Sequence, residues 1–131
     1  MAKILAIDDE ELVRFTIREM LGAKGHEVSL AANGEEGMAL LAGVDLVICD
    51  LEMPAMDGFE FVERLRADEK SKNSNIPVLI LTGHIEKESV EKSVNLGIHG
   101  YLKKPFSEDS LEQKVIRALF APAIDPKRLK R

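Results

Sequence analysis

Short apolar runs alternate with amphipathic stretches five times along this chain, and most of the runs stop at a residue with chemistry to offer. Residues 3–7 are apolar and end at Asp8-Asp9. Residues 10–24 follow, with Val13, Ile17, Met20 and Leu21 at the spacing of one helix face, and Gly25 closes that helix. Residues 27–31 read as a second strand, less apolar than the first and so nearer a sheet edge. Asn33-Gly34 is a turn, and 35–41 is a short helix opened by two acids that suit its dipole. Residues 44–49, apolar apart from Asp45, stop at Asp50. The loop 51–58 carries a proline and a glycine. After it come a helix over 59–67, with Phe61, Val62 and Leu65 on one side, and a polar loop over 68–75. Residues 77–81 form a fourth strand that ends at Thr82-Gly83. The weak helix 86–95 has only Val90 and Val94 as a stripe. Tyr101-Leu102 marks a fifth strand ending at Lys103-Lys104-Pro105. A last helix, capped by Ser107 or its rivals Asp109 and Ser110, turns Leu111, Val115 and Leu119 inward.

Strand followed by helix, five times over, predicts an α/β fold: a parallel sheet with helices on both sides. The first, third and fourth runs are continuously apolar, as strands covered on both faces are. At 131 residues one domain is expected, over residues 1–121, with 122–131 as a basic tail or linker stub. The net charge of −5 argues against a general nucleic-acid binder, whose surface would be basic. Cys49 stands alone, so no disulfide can form within the chain and a reducing compartment fits. Its place next to Asp50 in a strand turns it to the opposite side, as a core thiol. No apolar run approaches the ~20 residues that cross a bilayer. The opening residues run straight into a strand with no leader-like pattern. A cytoplasmic protein without membrane contact is expected.

The position of the polar residues carries the functional reading. In an open α/β sheet, ligands bind beyond the carboxyl ends of the strands. There Asp8, Asp9, Asp50, Thr82 and Lys104 converge if the strands lie side by side. Three carboxylates within ~5 Å would repel by roughly 3 kcal/mol per pair at an effective dielectric near 20. A divalent cation removes that cost, and all-oxygen ligands suit Mg²⁺, or Mn²⁺. No His or Cys stands at these strand ends, so zinc does not fit. Lys104 and Thr82 add a positive charge and a hydroxyl that suit phosphoryl oxygens. The set reads as metal-assisted phosphoryl transfer with a carboxylate nucleophile.

These residues also carry a resemblance. Asp8-Asp9, Asp50 with Met53-Pro54 and Met56-Asp57-Gly58, Thr82-Gly83, Tyr101 and Lys104-Pro105-Phe106 stand in the order of the receiver domains of two-component response regulators. The chain resembles that family over about residues 3–120. The resemblance implies a flavodoxin-like (βα)5 fold with five parallel strands in the order 2-1-3-4-5. It makes Asp50 the acceptor of a phosphoryl group from a histidine kinase or histidine phosphotransfer protein. Asp8, Asp9, Asp50 and the backbone carbonyl of Glu52 become the Mg²⁺ ligands, and Thr82 and Lys104 bind phosphoryl oxygens. It places a cis peptide bond between Lys104 and Pro105. Thr82 and Tyr101 become a switch that alters the face of the fourth helix, fifth strand and fifth helix for a downstream effector or output domain. Glu52 and His84 would flank the phosphoryl group and tune its lifetime. The implied protein is a monomer or a phosphorylation-dependent dimer. It is not an enzyme on a separate substrate: it undergoes only its own phosphorylation and autodephosphorylation. Ile98 departs from the family, which commonly has a small residue there.

One rival lies inside the family, a phosphate shuttle or sink in place of an effector-binding switch, and the sequence leaves it open. Rivals outside the family fit less well. A phosphatase of the haloacid dehalogenase class would need an aspartate where Glu52 stands. A flavin mononucleotide carrier would need a Ser/Thr/Gly-rich loop after the first strand, and Asp8-Asp9-Glu10-Glu11 would repel its phosphate. The P-loop pattern is absent.

Overall fold

The computed structural model describes residues 1–68 and 71–127, so of the basic run 127–131 only Lys127 is among the described residues. The elements are β1 (Lys3–Ile7), α1 (Glu11–Gly22), β2 (Glu27–Ala31), α2 (Gly34–Ala39), β3 (Leu46–Asp50), α3 (Gly58–Ala67), a 3₁₀ turn (Lys72–Asn75), β4 (Val78–Thr82), α4 (Lys87–Asn95), β5 (Gly100–Lys103) and α5 (Glu108–Phe120). The five strands are parallel in the order β2-β1-β3-β4-β5. β3 and β4 are buried along their whole length, which is why they are apolar without alternation. β2 lies at an edge, and its more polar sequence reflects that exposure.

Successive strand residues feed two separate cores. On one face Leu5, Ile7, Val47, Cys49 and Ile80 pack with Phe61, Val62 and Leu65 of α3. On the other, Ile4, Ala6, Leu46, Ile48, Leu79 and Leu81 pack with Ile17 and Leu21 of α1 and with Leu111 and Val115 of α5. Cys49 is wholly buried in the first core, and burial pushes its thiol far above the ordinary range.

The structure corrects several sequence-based boundaries. Strands expected to stop before Asp50 and Thr82 include them. Leu51 N donates to Leu81 O at 2.8 Å and Lys104 N to Thr82 O at 2.8 Å, so the ladder runs one residue further than the apolar pattern. Val44 and Asp45, read as the first residues of the third strand, precede β3, and Asp45 turns its carboxylate onto Lys3 N at 2.8 Å. The inner face of α5 is completed by Ala118, while Leu119 is only half-buried. Part of the loop expected over 68–75 winds into the 3₁₀ turn, whose first residue is preceded by Ser71 as its cap. α5 is capped by Ser107, whose Oγ accepts from Ser110 N at 3.0 Å. α4 has no side-chain cap and buries only Ser93 and Val94, in keeping with its weak stripe. Ile98 is fully buried in the first core. Beyond α5 the chain turns back: Ile124 N donates to Ile98 O at 3.0 Å and the Ile124 side chain packs on the same core.

Candidate phosphoacceptor site

β1, β3 and β4 are central or near-central strands. Their carboxyl ends, with the turn after β5, deliver the polar residues to one end of the sheet. The sharp return from β3 into α3 depends on Gly58. A Cβ there would stand 2.7 Å from Asp50 O and 2.8 Å from Leu51 Cα, so only glycine lets the helix start this close to β3. Asp57 caps α3 through a 2.9 Å bond from Glu60 N.

Asp8, Asp50 and Lys104 meet directly. Lys104 Nζ lies 2.8 Å from Asp8 Oδ2 and 3.2 Å from Asp50 Oδ2. Asp8 Oδ1 accepts from Glu10 N at 2.8 Å, Arg14 Nη1 donates to the Asp8 carbonyl at 2.7 Å, and Asp50 Oδ1 accepts from Glu52 N at 3.2 Å. Asp8 and Asp50 are 0% and 2% exposed, so one ammonium is set against two buried carboxylates. Burial, with the Asp8 charge adding to it, raises Asp50 to about 6; Lys104 and the Glu52 N–H pull the other way. Burial lowers Lys104, but its bond to Asp8 and the two carboxylate charges outweigh that, and its net shift is upward. The Lys104–Pro105 peptide is cis.

Asp9 and Glu10 complete an acidic rim. One carboxylate oxygen from each of Asp8, Asp9 and Glu10 falls within 4.8 Å of the others. Glu10 Oε1 stands 3.7 Å from Lys104 Nζ. Asp9, Glu10, Asp50, Glu52, Gly83 and Lys104 line a crevice of ≈ 180 Å³. A cluster of oxygen donors carrying more negative charge than one lysine neutralises fits a hard divalent cation. Glu10 was not singled out from the sequence as a site residue, although the run Asp8-Asp9-Glu10-Glu11 contained the signal.

Thr82 is 1% exposed and meets Lys104 through its backbone, the Thr82 carbonyl accepting from Lys104 N at 2.8 Å. Its Oγ1 is 2.7 Å from Glu52 Oε1 and 2.7 Å from His84 O, and accepts from His84 N at 3.1 Å. His84 thus reaches Thr82 through its backbone, with its side chain exposed. Tyr101 stands apart from the crevice. Its hydroxyl donates to Ser89 O at 2.9 Å and lies against Ser93 Oγ, tying β5 to α4. Burial raises its phenol above the ordinary value. His26 Nδ1 accepts from Ala2 N at 3.0 Å, a structural role at the other end of the sheet.

The model of the family described as "Response regulator receiver domain" matches residues 4–116. Among solved structures, the chemotaxis protein CheY4 of Vibrio cholerae is similar at 36% identity and TM-score 0.85, over 91% of this chain and 99% of that one. A response regulator receiver domain from Clostridium thermocellum is 29% identical with TM-score 0.81, over 91% and 94%. Sporulation initiation phosphotransferase F of Bacillus subtilis is 31% identical over 89% of this chain and 93% of its own length. Regulatory protein AtoC of Escherichia coli is 34% identical over 89% of this chain, which spans only 25% of that protein.

Proposed function

This chain belongs to the response regulator receiver family of two-component signalling, and from that premise we propose that Asp50 is its phosphoacceptor, charged from the phosphohistidine of a histidine kinase or phosphotransfer protein. The observation that carries the reading is the contact of Lys104 with both Asp50 and Asp8, Asp50 standing at the carboxyl end of a central strand and lining the crevice. An Asp50 oxygen attacks phosphorus, the new O–P bond forms, and the N–P bond of the donor breaks to leave the donor's imidazole. Lys104 is placed to pair with phosphoryl oxygens and to offset charge as the bond transfers.

Asp8, Asp9, the Asp50 carboxylate and the Glu52 carbonyl would hold Mg²⁺, with Mn²⁺ as the alternative, and Glu10 adds charge at the rim. When bound, the ion offsets the repulsion between these carboxylates and the incoming phosphoryl oxygens. Phosphorylation adds about −1.5 to −2 charge. Thr82 then turns its hydroxyl to that charge, and Tyr101, bonded to α4, moves with the space Thr82 leaves. The face of α4, β5 and α5 presents the change to an effector or output domain. Glu52 and His84 flank the site and set how long the phosphoryl group lasts. In this reading the chain catalyses only its own phosphorylation and dephosphorylation. Among the described residues no helix is long and apolar enough to cross a membrane. We place the protein in the cytoplasm, with its phosphohistidine donor.

Incubation with acetyl phosphate and Mg²⁺ is expected to add the mass of one phosphoryl group, and chelation of the metal to prevent it. Uptake of equal extent in excess chelator would contradict the metal's role.

A further inference from the structure

Glu52 makes an arrangement that phosphoryl binding does not require of a resting site. Glu52 is an exposed residue, yet its carboxylate reaches across from the β3–α3 loop to the β4–α4 loop. There a single oxygen, Oε1, takes the Thr82 hydroxyl at 2.7 Å and the Gly83 N–H at 3.2 Å. Glu52 and Gly83 both line the crevice that holds Asp50 and Lys104, and Thr82, bonded to Glu52 and next to Gly83 in the chain, is buried. A free carboxylate in water keeps its rotamer freedom, so one held across two loops is held by something worth more than that freedom. Charge-assisted bonds from a hydroxyl and a backbone N–H supply it. They also hold the Glu52 carboxyl below the usual carboxylate range, the Thr82 bond contributing most.

The donors are limited. Thr82 has one O–H, and two acceptors compete for it, Glu52 Oε1 and His84 O, both at 2.7 Å. While Glu52 holds that proton, the hydroxyl is not free to donate to a phosphoryl oxygen. Gly83 likewise has one N–H. An anionic oxygen bonded to a hydroxyl and a backbone N–H of the β4–α4 loop is what a phosphoryl oxygen would itself be.

We propose that the Glu52 carboxylate is an internal stand-in for the phosphoryl group, occupying the Thr82 and Gly83 donors in the resting protein so that phosphorylation must displace it. The proposal rests on Asp50 being the phosphoacceptor and names the interaction that keeps Thr82 in its resting place. A phosphoryl group on Asp50 brings negative charge to the same crevice, and like-charge repulsion drives Glu52 out as the donors turn inward. Glu52 is then a positioning residue acting through Thr82, and its backbone carbonyl is untouched by side-chain replacement.

The test measures affinity for beryllofluoride, a tetrahedral phosphoryl analogue, in the presence of Mg²⁺. The proteins are the parent, Glu52→Ala, Thr82→Val, the double variant and Asp50→Asn. Release of the latch is expected to tighten binding about tenfold in Glu52→Ala, the order of one charge-assisted hydrogen bond. In the Thr82→Val background the same replacement is expected to tighten binding only about two- to threefold, because the hydroxyl it would free is gone. Equal tightening in both backgrounds means that Glu52 acts through its charge alone and overturns the latch while leaving the acceptor assignment intact. Binding that is absent, or that persists undiminished in Asp50→Asn, overturns the acceptor assignment and the latch together.

Discussion

An Asp50→Asn variant is expected to unfold at a higher temperature than the parent at pH 7.5 in metal-free buffer, and to take up no phosphoryl group. The carboxylate is 2% exposed and faces the equally buried Asp8, so its ionised form is disfavoured in the fold. Its folded-state value of about 6 stands above the ordinary 3.8. An acid whose value is raised by folding binds more protons folded than unfolded between those two values, so its contribution to stability falls as pH rises through that window. Below about pH 4 the parent and the variant should therefore be close in stability. The gap should open between pH 4 and 6 and stay constant above about 7. The full shift corresponds to at most about 3 kcal/mol. Because the crevice is open to water and Lys104 loses one of the three carboxylates paired with it, a gain of about 1–2 kcal/mol is expected. Thermal unfolding of both proteins from pH 4 to 8 measures it. A parent more stable than the variant at pH 7.5 would mean that the Lys104–Asp50 contact outweighs burial and the Asp8 charge. Divalent cation should narrow the gap by stabilising the parent, through binding to the folded state alone.

The second large effect lies outside the site. Arg66, at the end of α3, donates Nε to Leu96 O at 3.1 Å, Nη1 to Ser74 O at 2.9 Å and Ile76 O at 2.7 Å, and Nη2 to Gly97 O at 2.9 Å. The guanidinium thus fastens the turn before β4 and the turn between α4 and β5 to α3. Burial lowers its pKa, and among the described residues no carboxylate is a hydrogen-bond partner of it. Arg66→Ala leaves four carbonyls short of a donor in a half-buried place, and a loss of about 2–4 kcal/mol is expected. Arg66→Lys should recover little of it, because an ammonium lacks the planar fork that reaches both turns. Chemical denaturation of the three proteins decides this. A lysine variant as stable as the parent would show that charge alone, not the fork, does the fastening. The α4–β5 turn leads into the strand that carries Tyr101, so loosening it is also expected to reach the proposed output face.

What the sequence made legible follows from what is local. Strand–helix alternation needs only apolar periodicity, and the α/β class and the helix faces of α1 and α3 were readable from it, whereas the cap of α5 was left among Ser107, Asp109 and Ser110. The strand order was not. It came from the resemblance, because alternation alone does not say which strands are neighbours. The ends of β3 and β4 were placed early because Asp50 and Thr82 are polar, while the backbone ladder is indifferent to that. The role of Arg66 was invisible, since its partners are backbone carbonyls 8 to 31 residues away and carry no sequence signature. The reach of the Glu52 side chain to Thr82, 30 residues on, was hidden for the same reason. Ala55 is a local misfit: it adopts φ 67° in a tight turn closed by Met56 N to Pro54 O at 2.9 Å, where glycine or asparagine would be expected. That strain, of order 1 kcal/mol, sits in the loop between Asp50 and α3.

The most direct measurement reduces the acetyl phosphate-treated protein with borohydride, digests it and sequences the peptides by mass spectrometry. Borohydride converts an aspartyl phosphate to homoserine and leaves free aspartates unchanged. The account predicts homoserine at position 50 alone, and none when Mg²⁺ is withheld. Homoserine at position 8 or 9, or phosphoryl uptake that borohydride cannot trap at position 50, would contradict it.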